Sequence, residues 1–207
     1  MSGAVLVIER DGEGLSTALA KHGYDVEREG DPAEARTLVT VAPRPTLQPL
    51  AELEPDAWVA TFRAWTEEPF FAAQRFLRGA YEHDRGGCWI AVTSILGTQP
   101  FPGGGAAGAA SIALHTLVRV AAIEGGSRGV RANVVATGWR HDAVPPELDA
   151  ELVVEDTPTR RLVTQADAAA AVAWLLSDEA AHITGAVLTL DGGYTLTRGS
   201  RADPTTE

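Results

Sequence analysis

A serine, two histidines and a tryptophan are the side chains of this 207-residue sequence that could carry out chemistry in one cleft. Ser94 ends a short apolar run at 88–93 and precedes a glycine-rich loop and a helix of small residues. His115 lies on that helix, and Trp139 and His141 follow the next apolar run. Because a serine hydroxyl can hold a substrate oxygen and an imidazole can transfer a proton, these residues are candidates for acid–base catalysis without a metal.

Each of these candidates also has a structural interpretation. The Ser94 hydroxyl can cap the loop that follows it, as serine does at the start of a helical turn. His141, with its neighbours Arg140 and Asp142, can belong to a solvated surface loop. The sequence leaves both interpretations open.

The apolar runs predict the elements that would position these residues. Continuous apolar runs of strand length, typical of parallel strands covered on both faces, occur at 4–8, 37–41, 88–93, 131–136 and 187–190. Apolar residues at helical spacing predict helices over 56–82, 107–124 and 167–177. A strand, a glycine turn, a helix and a short strand near Val26 come in the order that opens a dinucleotide-binding unit.

Three segments resemble the short-chain dehydrogenase/reductase family, in particular its members similar to 3-oxoacyl-ACP reductases. These are the strand that ends at Ser94, the run 131–138 with Asn133 and Gly138, and the closing run 187–194 with its Asp-Gly-Gly at 191–193. The resemblance implies an α/β fold with a doubly wound, Rossmann-like parallel sheet between two helical layers. It further implies a single domain over 1–196, and the polar stretch 197–207 is predicted to be disordered.

The resemblance breaks between the second strand and the next apolar run, where only residues 27–36 are available. A helix, a strand and a second helix of average length need roughly 25 residues. The third strand of the family and its flanking helices are therefore predicted to be absent. This would leave the second strand at the edge of the sheet.

The resemblance also implies a catalytic Tyr, Lys and Asn, and none is present. Ala107 and Ser111 stand where the family has Tyr and Lys, and Trp65 stands at the Asn position. Alanine has no proton to transfer and serine carries no charge, so neither can take over these roles. Hydride transfer is therefore not expected.

The glycine turn departs from the family pattern as well. If Gly12 and Gly14 are its last two glycines, Ile8 replaces the first. Glu9, Asp11 and Glu13 surround the place where a pyrophosphate would lie and would repel it, although Asp11 and Glu13 also suit the start of a helix. The sequence predicts that no NAD(P) cofactor and no metal is bound.

Three functions follow from this resemblance. The first is an oligomeric scaffold or non-catalytic subunit, on its own or beside an active paralogue, associating through helices 56–82 and 107–124 and through the last helix and strand. The second is a cofactor-independent lyase, isomerase or cyclase that reuses the cleft around Ser94, His115, Trp139 and His141. NAD(P)-dependent carbonyl reduction is the least favoured.

The composition bears on which classes of partner the protein binds and on where it is located. The net charge is −11 and the isoelectric point is about 4.9, which argues against nucleic acid and anionic membranes as partners. The unbroken apolar runs are too short for a membrane span, and the first residues do not resemble a signal peptide. Cys88, the single cysteine, cannot form an internal disulfide and is predicted to be a small buried residue. These features predict a cytoplasmic protein.

Overall fold

A computed structural model describes residues 4–10, 14–146 and 148–197. Six parallel strands form one sheet in the order β2-β1-β3-β4-β5-β6. The strands are β1 Val5–Ile8, β2 Val26–Glu27, β3 Thr37–Val41, β4 Gly87–Ser94, β5 Val130–Thr137 and β6 Val187–Leu190. The helices are α1 Gly14–Lys21, α2 Pro55–Phe62, α3 Glu68–Glu82, α4 Gly105–Gly125, α5 Ala150–Asp156, α6 Gln165–Leu176 and α7 Tyr194–Thr197.

Side-chain alternation along the strands builds one core on each face of the sheet. Leu6, Leu38 and Trp89 face one way and pack against α3 and α4 through residues such as Phe76 and Leu114. The alternate strand positions face the opposite way and include Val5, Val7, Val39 and Ile90. They pack against α1 through Leu15 and Leu19 and against α6 through Val172 and Leu175. The predicted three-layer, doubly wound sheet is confirmed.

The shortened connection after β2 is also as predicted. Residues 28–36, all of which the structure describes, contain neither helix nor strand, and β2 lies at the edge of the sheet. The short connection instead passes over α3 at Gly79, where an added Cβ would lie 2.7 Å from the carbonyl carbon of Ala33. Glycine at this point lets the chain return directly to β3.

The helix predicted over 56–82 needs a correction. It begins at Pro55 and is interrupted by a π-helical segment at Arg63–Glu67, just before Pro69. Proline has no N–H to continue the α-helical ladder. The preceding N–H, of Glu68, bonds to the carbonyl of Arg63 five residues back, so the ladder shifts by one residue to accommodate the proline.

Two other boundaries differ from the prediction. The helix expected from 107 begins at Gly105. A further short helix, α5, begins at Ala150, where the Asp149 carboxylate accepts the N–H of Glu151 at 2.9 Å. Thr197 belongs to α7, and the rest of the predicted disordered tail, 198–207, lies outside the described residues.

One described helix, Gly105–Arg128, is long and apolar enough to cross a membrane by length and composition. Leu114, Val118 and Ala121 of this helix pack against the sheet, and more than half of its most apolar stretch is buried. These contacts are typical of the core helix of a folded α/β domain.

Candidate functional site

The carboxyl ends of β3, β4 and β5 meet at one edge of the sheet, where open parallel sheets bind their ligands. The cleft at this edge is lined by Ala42, Pro43, Pro45, Trp65, Thr93, Ser94, Thr137, Gly138, Trp139, Arg140 and Ala143. Its volume is about 20 Å³, which is room for about one water molecule. Binding pockets for small molecules and cofactors typically measure about 300–1,000 Å³, so this cleft is closed.

Aromatic side chains close the cleft. Trp65 and Trp139 are both buried and belong to one apolar cluster with Ala42, Ile95, Leu96, Ala107, Ala110, Val153 and Tyr194. Phe101 packs edge-on against Trp139, with 5.3 Å between the ring centroids. The helix carrying Trp65 is tied to α4 because the Thr66 hydroxyl donates to the carbonyl of Ala110 at 2.9 Å. A small hydrophobic cluster therefore packs around the cleft and limits its volume.

Ser94 lines this cleft, and its side chain has a structural role there. Its Oγ accepts the backbone N–H of Leu96 at 3.2 Å and caps the 3₁₀ turn Ile95–Gly97. The contact observed for the Ser94 side chain is therefore a capping contact.

The two positions predicted to correspond to the family's catalytic Tyr and Lys are buried. Ala107 belongs to the apolar cluster, and Ser111 is fully buried one turn further along α4. The Ser111 hydroxyl has no hydrogen-bond partner among the described residues. Neither position presents an ionisable group to the cleft.

His115 lies in the protein interior and does not line the cleft. It is fully buried on α4, and its Nε2 lies 2.8 Å from the hydroxyl of Thr93. Burial, with a smaller contribution from the charge of Arg119, lowers its pKa from 6.5 to about 4. The imidazole is therefore neutral at physiological pH, and no described residue partners its Nδ1.

His141 lies on the surface. Its backbone N–H donates to the carbonyl of Val163 at 3.0 Å, while the side chain is exposed. Its neighbour Arg140 is the buried member of the pair, and its Nε donates to Asp142 at 3.3 Å. The four candidate residues therefore do not converge, because only Ser94 and Trp139 line the cleft.

Asp142 joins the loop after β5 to the start of α6. It accepts hydrogen bonds from Arg140 and, at 2.7 Å, from the Gln165 amide. Burial alone would raise its pKa, but the charge of Arg140 and these hydrogen bonds lower the pKa of this carboxyl below its usual range. An ionised Asp142 thus fixes Gln165, whose side chain fills the space where a Cβ at Gly14 would lie, 2.6 Å from its amide nitrogen.

Glu9 occupies the start of α1, where the family places a pyrophosphate. Its carboxylate accepts the N–H groups of Leu15 and Ser16, both at 3.2 Å, and the Ser16 hydroxyl at 2.5 Å. A helix N-terminus favours an anion because its first N–H groups and its dipole point outward. In this chain the anion at the helix N-terminus is the protein's own Glu9 carboxylate. Gly12, together with Asp11 and Glu13, lies outside the described residues.

Sequence reasoning recognised Glu9 as a charge opposed to phosphate but missed its contact. The signal was an acid at the end of β1, close to the first free N–H groups of the next helix. Only the structure shows that the Glu9 carboxylate bonds to those N–H groups.

The retained Asp-Gly-Gly motif is structural. The Asp191 carboxylate accepts the N–H of Gly193 and of Thr195, both at 2.8 Å, and the Thr195 hydroxyl at 2.7 Å. It thereby caps α7 after β6. Gly138 packs directly on Asp191, since an added Cβ would lie 2.9 Å from its Cα. Two motifs that carry the family resemblance therefore hold each other in place.

The described residues include no group of three or more His, Cys, Asp or Glu side chains that could hold a metal ion. Cys88 is buried in β4, and burial raises the pKa of its thiol to about 11. A thiol in that state is neither a metal ligand nor a nucleophile.

A parallel sheet whose strand order reverses between β1 and β3, with helices on both faces, defines a doubly wound, Rossmann-like α/β protein. A family model described as enoyl-(acyl carrier protein) reductase matches residues 37–195. The chain belongs to the short-chain dehydrogenase/reductase family.

Individual relatives agree with this assignment. FixR from Bradyrhizobium diazoefficiens is 34% identical over 145 residues, covering 68% of this chain and 50% of FixR. This chain thus matches about half the length of that relative. Galactitol 2-dehydrogenase from Rhizobium johnstonii is 29% identical over 221 residues, covering 93% of this chain and 85% of the enzyme. The crystal structure of acetoin dehydrogenase from Enterobacter cloacae shares the fold, with a TM-score of 0.79 at 22% identity, covering 99% of this chain and 100% of that one.

Proposed function

We propose that this chain is a non-catalytic member of the short-chain dehydrogenase/reductase family that acts as an oligomeric scaffold or as a subunit beside an active paralogue. The observation that carries the proposal is the closed cleft of about 20 Å³. Trp65 and Ala107, at two positions that would bear catalytic groups, are part of the apolar cluster that closes it. A nicotinamide ring cannot enter without displacing that cluster.

The start of α1 supports the same proposal. The Glu9 carboxylate already bonds to the N–H groups of Leu15 and Ser16. A pyrophosphate at this point would have to displace Glu9 and would meet its negative charge. Side chains of the protein itself therefore lie at both the nicotinamide and the pyrophosphate positions that the family resemblance implies.

Exposed apolar residues support association. On the outer helical layer, α2 exposes Trp58 and Val59, α3 exposes Phe71, and α4 exposes Ile112, Val120 and Ile123. Ile123 is 81% exposed, and Trp174 on α6 lies exposed on the opposite face of the sheet. Large apolar side chains grouped on one surface are typical of protein interfaces. These positions fall on the helices predicted to associate.

Light scattering on the purified chain, and on the chain co-expressed with an intact paralogue, tests the proposal. We expect a stable dimer, tetramer or mixed complex. Phe71→Glu combined with Ile123→Glu should lower the mass toward that of a monomer, because burying two charges in an apolar interface is unfavourable. The control is Leu152→Glu, which places one glutamate at an exposed apolar position of α5 and should leave the mass unchanged.

Two results would contradict the proposal. One is a wild-type chain that stays monomeric both alone and with the paralogue. The other is turnover of a carbonyl substrate with NAD(P)H by the purified protein.

A further inference from the structure

A second, larger groove lies at the opposite end of the sheet from the closed cleft. Its volume is about 780 Å³. Three connections that lead into β4, β5 and β6 at their amino ends form its walls; the lining residues are 84–87, 126–131, 181–182 and 184. In open parallel sheets the ligand normally binds at the carboxyl ends, so neither the fold nor the proposed function accounts for this groove.

The charge of the groove is opposite to that of the whole chain. Its lining contains Arg85, Arg128, Arg131 and His182 against one acid, Asp84. The protein as a whole carries a net charge of −11. A local excess of guanidinium groups on an acidic protein marks a place where anions can accumulate.

Each of the three guanidinium groups is held by a contact within the protein. Arg85 donates to the carbonyl of Ala33 and Arg131 donates to that of Ile183, the latter at 3.3 Å. Arg128 stacks on the ring of Tyr81 at 4.8 Å. None of the three forms an ion pair with a carboxylate in the described part of the chain. Since a guanidinium has five N–H donors, Arg128 and Arg131 retain donors for a ligand, whereas Arg85 is turned toward the carbonyls of Ala33 and Ala35.

Glycines fix the two loops that carry Arg85 and Arg128. An added Cβ at Gly86 would lie 2.8 Å from the carbonyl oxygen of Gly129, and the N–H of Gly87 donates to that same oxygen at 3.2 Å. Gly86 and Gly129 both have positive φ angles, 62° and 72°. The loops therefore cross in direct backbone contact, which orders the groove before a ligand arrives and lowers the entropic cost of binding.

We propose that this groove is a binding site for a small multiply charged anion whose phosphate or carboxylate groups are held by Arg128 and Arg131, with Arg85 adding positive charge beside them. Guanidinium groups bind both kinds of oxyanion through paired, charge-assisted hydrogen bonds. The proposal is independent of the closed cleft, because the two lie at opposite ends of the strands.

Isothermal titration calorimetry at low ionic strength, with pyrophosphate and citrate as separate probes, tests this site. We expect saturable binding of at least one probe, and the tighter of the two identifies the class of oxyanion. The double substitution Arg128→Gln and Arg131→Gln should weaken binding by about tenfold or more, since charge-assisted contacts are lost. Arg128→Gln alone, at an exposed position, gives a smaller loss without disturbing the contact between Arg131 and Ile183.

The control is the double substitution Arg78→Gln and Arg119→Gln, which removes the same charge from α3 and α4 outside the groove. Its affinity should stay within about twofold of the wild type, because distant surface charges are screened. The proposal is overturned if neither probe binds, or if the control variant weakens binding as much as the groove variant does.

Discussion

At the scale of single residues, the proposed function rests on side chains of the protein that lie at the start of α1 and around the closed cleft. Glu9 bonds to the first N–H groups of α1, and Trp65 belongs to the apolar cluster beside the closed cleft. Ser111 and His115 keep buried polar atoms that no described residue satisfies. Buried unsatisfied polar groups are costly, so these two positions are weak points of α4.

Glu9→Ala should reduce the free energy of unfolding by about 1 kcal/mol, the usual effect of losing a helix-capping group. The reason is that the N–H groups of Leu15 and Ser16 lose their acceptor. Urea denaturation followed by circular dichroism measures the change. Glu29→Ala, an exposed glutamate outside any helix or strand, is the control and should change stability very little. Equal stability of the two variants would show that the carboxylate does not cap α1.

His115 makes stability depend on pH. Its pKa falls from 6.5 to about 4 on folding because the imidazole is buried. The unfolded chain therefore binds more protons between these values, and the contribution of His115 is complete above pH 6.5 and lost as the pH falls toward 4. At pH 4.5 the loss should be about 2 kcal/mol.

Urea midpoints of the wild type and of His115→Gln between pH 7.5 and 4.5 test this dependence. The difference in stability between them should shift in favour of the variant as the pH falls. His22→Gln, an exposed histidine, serves as the control. If the wild type and His115→Gln lose stability in parallel over this range, His115 is not the group responsible.

At the scale of elements, the sequence predicted the sheet well because buried parallel strands are continuous apolar runs. The run 37–41 coincides with β3, and Ser94 ends β4 as expected. The short connection at 28–36 was predictable from its length. The π-helical segment at Arg63–Glu67 could not be predicted, because the apolar spacing over 56–82 is that of one continuous helix.

Gly79→Ala tests how the shortened connection packs. Alanine is favoured over glycine inside a helix by about 1 kcal/mol, yet here its Cβ would overlap the backbone of Ala33. Overpacking of this kind costs about 3 kcal/mol, so we expect a net loss of about 2 kcal/mol by urea denaturation. Gly126→Ala is the matched control, since an added Cβ there meets nothing within 4 Å. A Gly79→Ala variant as stable as the wild type would place the connection elsewhere.

At the scale of the whole molecule, the family fold is retained while one end of its sheet is closed. The absence of Tyr and Lys at 107 and 111 could be read from the sequence. The closure could not, because it depends on Trp65, Phe101 and Trp139 from three distant segments meeting in one cluster. The separation of His115 and His141 was equally hidden, since spacing along the chain does not tell which face of α4 or of the loop after β5 points inward.

Titration of the purified protein with NADH and with NADPH, by calorimetry and by nucleotide fluorescence, tests whether the protein has lost the family's cofactor site. An intact dehydrogenase of the same family, titrated in parallel, establishes that the assay detects binding. We predict no saturable binding of either nucleotide below about 1 mM, corresponding to less than about 4 kcal/mol of binding free energy. Saturable binding at micromolar concentrations would contradict the proposed non-catalytic function, because the closed cleft would then have to open and Glu9 would have to move away to admit a cofactor.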